Sequence, residues 1–180
     1  LIGTDLGIGG AATGKVQLTS PLKNFGLLAD LICDSTRIEN IPLGVLSIGS
    51  NWEEQNNRFY INLSNSLSGT SNITASSYLY PKTKKLEASA DLNKLNIGYV
   101  QPFLKDVFSV MKGTVSGKVS ANGPLSNLEI SSEDTRIDEV ELRIAYTNVP
   151  DYAQGTFHLD SYGAYLNDPT FKDRQSGTGT

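Results

Sequence analysis

Along most of this chain apolar and polar residues alternate with a period of two. In a β-strand that period sends successive side chains to opposite faces, so each run predicts a strand with one apolar and one wet face. The cleanest case sets Leu86, Ala88, Ala90 and Leu92 against Glu87, Ser89, Asp91 and Asn93. The same pattern groups Ala12, Gly14, Val16 and Leu18; Leu46, Ile48, Ser50 and Trp52; Phe59, Ile61 and Leu63; and Val115, Gly117, Val119 and Ala121. From Leu27 to Asp34 both faces carry apolar side chains, which predicts a strand covered on both sides. Breaks rich in Gly, Pro, Asn and Ser separate the runs, and roughly ten strands result.

Two places depart from the period. Val100, Phe103, Leu104, Val107, Phe108 and Met111 recur at helical spacing, with Pro102 suited to a first turn and Gly113 to a stop, so a short helix is predicted at about 101–111. Ile137 and Val140 are three apart, and the slip at Asp138-Glu139 predicts a bulge or tight bend.

The pattern also repeats. G-K-V-Q-L-T-S-P-L-K-N from Gly14 answers G-K-V-S-A-N-G-P-L-S-N from Gly117, an offset of 103, with six of eleven positions identical. Thr36-Arg37-Ile38-Glu39 answers Thr135-Arg136-Ile137-Asp138 at an offset of 99, so the second copy is four residues shorter between turn and strand. The chain reads as a single β-repeat domain, 1–180, with units at about 10–92 and 113–180. Its opening without Met and its end at Gly177-Thr178-Gly179-Thr180 are read as those of a piece of a longer protein.

Composition narrows the possibilities. With 180 residues and 38% hydrophobic content the chain can bury a core and is not disordered throughout. A net charge of −4, with no basic cluster longer than the Lys82 to Lys85 stretch, argues against nucleic acid as a partner. No run approaches the ~20 apolar residues of a membrane-spanning helix. The one cysteine, Cys33, cannot form an internal disulfide and reads as a small core residue.

No catalytic, cofactor or metal site emerges, and the chain is not read as an enzyme. The single histidine, His158, comes without a nucleophile motif and reads as a half-exposed strand residue. Glu133, Asp134, Asp138, Glu139 and Glu141 lack calcium-loop spacing and read as a solvated face. Gly9-Gly10 and Gly113/Gly117 do not belong to a phosphate-loop motif and read as close backbone packing. Trp52, Tyr60, Tyr78 and Tyr80 could stack on sugar if they shared a plane, with core or edge packing as the plainer reading.

The segment from Gly113-Thr-Val-Ser-Gly-Lys-Val-Ser, through the turn Gly123-Pro124-Leu125-Ser126-Asn127 and Asp134-Thr135-Arg136-Ile137, to Val140–Tyr146 resembles the TamB family of AsmA-like translocation and assembly proteins. Leu86-Glu-Ala-Ser-Ala-Asp-Leu with Gln101-Pro-Phe-Leu is similar to the stretch leading into such a repeat, and Gly14–Asn24 with Ser50-Asn51-Trp52 fits an earlier one. The resemblance implies an all-β fold: an elongated, curled β-sheet, a U-shaped, half-open, solenoid-like groove (a "β-taco"), with one short helix. It also implies a periplasmic location, within a parent chain anchored in the inner membrane of a Gram-negative cell and reaching the outer membrane. The implied function is conduction of phospholipid between the two membranes, or assistance to outer-membrane β-barrel assembly with a BamA- or TamA-like partner.

Residues and resemblance meet in one expectation. Val16, Leu18, Ile61, Leu86, Ala88, Leu92, Val115, Val119, Leu142 and Ile144 are candidates to line a trough for phospholipid or other acyl chains. An ordinary closed core is the competing reading of the same residues. The second functional reading is a closed β-sandwich that binds glycan or protein on Trp52, Tyr78 and Tyr80.

Overall fold

The computed structural model describes residues 7–19, 26–104, 108–146, 150–160 and 163–171. They contain ten strands: β1 Ile8–Thr19, β2 Gly26–Ile38, β3 Ile41–Glu53, β4 Arg58–Ser66, β5 Ile73–Tyr80, β6 Lys85–Asn96, β7 Phe108–Pro124, β8 Glu129–Ile144, β9 Pro150–Asp160 and β10 Gly163–Phe171. Each strand pairs antiparallel with the next in sequence, giving one sheet in the order β1 to β10. Because β1 and β10 do not pair, the sheet stays open and does not close into a barrel. The protein is therefore all-β, as the alternation predicted, and a single large curled sheet, as the resemblance implied.

Two lines of bulges bend that sheet. Across β1 to β3 the register shifts between Gly9 and Ala11 and between Cys33 and Thr36, with Ser35 at φ 53. Across β6 to β8 it shifts between Leu92 and Leu95, Lys112 and Thr114, and Ile137 and Val140, with Lys94 at φ 49 and Glu139 at φ 51. An inserted residue kinks its strand and raises the local twist, and bulges aligned on neighbours add up to a fold line. The slip predicted at Asp138-Glu139 is one of them. Gly113 lies across from it at φ 116, where a Cβ would sit 2.7 Å from the Val140 Cα, so this crossing requires glycine.

The predicted helix is much shorter than its apolar stripe. A 3₁₀ turn, Ile97–Val100, runs into one α-helical turn, α1 Gln101–Leu104, and β7 has begun by Phe108. Residues 105–107 lie outside the described set. Met111, assigned to the helix from its spacing, instead pairs with Leu142 and is buried on the sheet. A ten-residue helix is marginal by itself, whereas a strand beside β8 satisfies its backbone through the ladder, and the ladder prevails.

The short helical link acts as a strap. β3 and β6 both run past the ends of β4 and β5, whose paired residues stop at Ser66 opposite Val45 and at Ile73 opposite Leu92. The strap crosses this notch: the Tyr99 hydroxyl donates to the Pro42 carbonyl at 2.7 Å, and Gly98 lies against Ile41. Asn96 caps the turn by accepting from the Gly98 N–H at 2.8 Å. Beneath it the buried Asn65 accepts from the Asn72 and Ile73 N–H groups at 3.0 and 2.8 Å and donates to the Leu43 carbonyl at 2.9 Å.

The two repeat copies fall on equivalent hairpins, β1–β2 and β7–β8. Their equivalent threonines, Thr36 and Thr135, are both buried and donate to the Cys33 and Lys118 carbonyls at 3.0 and 3.3 Å. The double cover expected for β2 is absent, because Leu28 and Ile32 are 40% and 47% exposed on the outer face. One sheet has no second layer to place over them.

Candidate functional site

Register decides which side chains share a face, because directly paired antiparallel residues point the same way. One cross-strand row reads Val16, Ala29, Ser50, Ile61, Ser77, Ala88, Ala121, Ile130. The next row on that face reads Gly14, Leu31, Ile48, Leu63, Ala75, Ala90, Val119, Ser132. Spanning eight strands, each row is about 34 Å long, and the two are about 7 Å apart along the strands. From β5 to β7 they are built mostly of Ala and Ser and are flanked by larger side chains. On one side lie Trp52, Phe59, Leu79 and Leu86; on the other lie Ile73 and Leu92, and beyond them Leu95 and Val115. Small residues between large ones make a shallow apolar trough across the strands.

This face is only partly covered. Among the described residues the buried apolar side chains are Phe59, Tyr99, Met111 and Val140. The trough residues Ile61, Leu86, Ala88, Leu92, Val115, Val119 and Leu142 are half-buried, and Val16 is 58% exposed. The apolar faces therefore do not meet one another in a closed core.

Eight of the ten residues singled out from the alternation occupy this face by register or by position in their strand: Val16, Ile61, Leu86, Ala88, Leu92, Val115, Val119 and Leu142. The side chain of Leu18 is outside the described set. So is that of Ile144, the tenth, whose backbone pairs with Phe108. Sequence reasoning missed Tyr99 and Asn65, which close one end of the notch; only the strap's path across β4 and β5 brings Tyr99 to Pro42. Cys33 carries no disulfide and lies on the trough face between Ala12 and Leu46.

A shared aromatic platform does not form, because its members are on opposite faces, and packing on the sheet, the plainer reading, holds. Trp52 belongs to the apolar face, edge-on to Phe59 with ring centroids 4.8 Å apart. Tyr60, Tyr78 and Tyr80 are on the outer face, where the Arg58 guanidinium lies 3.6 Å from the centre of the Tyr78 ring. Arg58 also donates to Glu53 at 2.6 Å and to the Tyr80 hydroxyl at 2.9 Å, and Tyr80 in turn donates to Glu87 at 3.1 Å. Lys85 completes the network on Glu87 at 2.8 Å. The Arg58 hydrogen bond holds the Glu53 carboxyl below its ordinary range, and the Lys85 hydrogen bond does the same for Glu87. Burial pushes the Tyr99 hydroxyl up.

In the acidic stretch of β8 Glu141 and Asp138 are ion-paired and Glu139 is exposed, while the side chains of Glu133 and Asp134 lie outside the described set. Glu141 meets Lys112 at 3.3 Å and Arg143 at 3.5 Å, and Asp138 meets Arg136 at 2.8 Å. Among the described residues no three His, Cys, Asp or Glu side chains are grouped to hold a metal ion. His158 is exposed and stands across the ladder from Tyr165, centroids 6.2 Å apart. Among the same residues, no helix is long and apolar enough to cross a membrane. Compared with family models, curated proteins and solved structures, the chain has no significant match in any of the three.

Proposed function

We propose that the chain is a segment of a path for acyl chains, in which phospholipid tails lie in the apolar trough while their headgroups stay in water. The observation that carries this reading is a single open sheet whose apolar face has no second layer over it among the described residues. At about 0.8 kcal/mol per buried CH₂, a sixteen-carbon chain gains on the order of 10 kcal/mol from full burial, and a half-open trough supplies part of that. The gain is spread along rows of similar side chains, so lipid can slide without meeting one deep site. The sequence resemblance supports the biological setting: a TamB-like protein of the periplasm that moves phospholipid between the inner and outer membranes, or serves an outer-membrane β-barrel partner. The closed sandwich behind the glycan-binding reading is not the fold observed, since the described strands make one sheet.

The test is native mass spectrometry of the purified protein with phosphatidylethanolamine, alongside transfer of a fluorescent phospholipid between vesicles. Bound lipid is expected, with loss of binding in Ala88→Glu on the trough floor and slower transfer in Leu142→Glu. Absence of any co-purifying or titratable lipid would overturn the reading. Unchanged binding in a folded Ala88→Glu variant would remove the floor from the path.

A further inference from the structure

One wall of the trough holds a polar atom that the protein leaves without a partner. Trp52, in the wall row with Phe59, Leu79 and Leu86, has its indole Nε1 buried and makes no hydrogen bond with it. Among the described residues one other buried side-chain nitrogen is in that state, the Arg143 Nε, and Arg143 still reaches Glu141 through its Nη2 at 3.5 Å. Trp52 has a single N–H and no second group through which to meet a partner. Its ring stands edge-on to Phe59, centroids 4.8 Å apart, so the wall beside it is apolar. An indole N–H removed from water without an acceptor bears the full cost of its desolvation, and buried tryptophans ordinarily find one.

The acyl path proposed above supplies that acceptor, and on that reading we infer that Trp52 recognises the ester linkage of a glycerophospholipid by donating its indole N–H to an ester carbonyl. Hydrocarbon offers no acceptor, and the ester carbonyls are the first polar atoms met along a phospholipid tail. They are neutral, whereas the carboxylate of a free fatty acid would have to shed its water beside Phe59 and Leu79. Trp52 is half-buried as a whole, so a small turn of its ring brings the N–H to the trough surface while the ring stays on the wall. Tryptophan is suited to this depth, with an apolar body for the tail and one donor for the first polar atom beyond it. One neutral hydrogen bond is worth only about a five-fold preference, so the contact orients a passing lipid without trapping it.

Two phosphatidylethanolamines of equal chain length, one with ester-linked and one with ether-linked chains, test this on the intact 180-residue chain. The ether form keeps both tails and the headgroup and lacks the carbonyls. By native mass spectrometry the ester form should bind about five-fold tighter, and Trp52→Phe, which keeps an aromatic ring beside Phe59, should bind the two alike. Trp52 is the single tryptophan, so the protein has one indole N–H resonance. That resonance should move downfield with the ester lipid and stay in place with the ether lipid, a readout that needs no variant. Equal affinity for the two lipids in the unaltered chain, or an indole resonance that responds alike to both, would overturn the inference and leave the acyl path standing. Binding of neither lipid would overturn the path itself, and the contact with it.

Discussion

Replacing Asn65 with Ala tests the least replaceable contact in the notch. The side chain is 3% exposed and holds three backbone groups: the N–H of Asn72, the N–H of Ile73 and the carbonyl of Leu43. Together these fix the β4–β5 connection against the overhanging start of β3. Stranding a buried backbone group costs about 1–3 kcal/mol, and the lower value suits groups near a strand end where water can partly reach them. Three groups at about 1 kcal/mol each make a loss of about 3 kcal/mol. With a urea m-value of about 2 kcal/mol/M, the unfolding midpoint should fall by about 1.5 M at unchanged slope. Asn65→Asp separates the parts, since it keeps the acceptor for two N–H groups and loses the donor, so it should recover more than half of the loss. A loss under about 1 kcal/mol in the Ala variant, or an Asp variant no better than Ala, would refute the claim that these bonds hold the notch.

Three further outcomes follow from the same geometry. Gly113→Ala should cost about 3 kcal/mol by urea denaturation, from positive-φ strain plus the clash with Val140, whereas Gly69→Ala, at φ 80 with nothing within 4 Å, should cost about 1 kcal/mol; equal losses would deny that the β7–β8 crossing is tight. Tyr99→Phe should cost about 1–2 kcal/mol and speed amide exchange in Ile97–Val100, because it strands the Pro42 carbonyl; unchanged exchange would mean the hydroxyl does not tether the strap. Glu53 and Glu87 titrate lower in the folded protein than their ordinary 4.5, so their stabilisation is present above that value and is lost as pH falls through the lower folded range. The melting temperature should therefore drop below pH 4.5, and the double variant Glu53→Gln/Glu87→Gln should flatten that limb; an identical acid limb would assign the drop to other groups.

Much of the sheet was legible along the chain because a period of two needs no knowledge of neighbours. The approximate number of strands, the apolar side of β1 and of β3 to β7, and the slip at Asp138-Glu139 follow from local alternation. The helix failed for a matching reason: Phe103, Leu104, Val107, Phe108 and Met111 satisfy a helical period, but only pairing with β8 shows that from Phe108 onward the backbone has a better partner. Trp52 and Tyr78 could not be assigned to opposite faces of a shared surface without the register between β3, β4 and β5.

By itself the sequence determined that this is a β-repeat with one apolar face, since alternation and duplication are written in residue order. Only the tertiary structure decided that the face stays open, that aligned bulges curl it and that Tyr99 straps the notch. Those outcomes depend on pairing and burial between residues distant in sequence. The Gly and Val of the shared Gly-Lys-Val are exposed in β1 and half-buried in β7 because β6 stands beside only one of them.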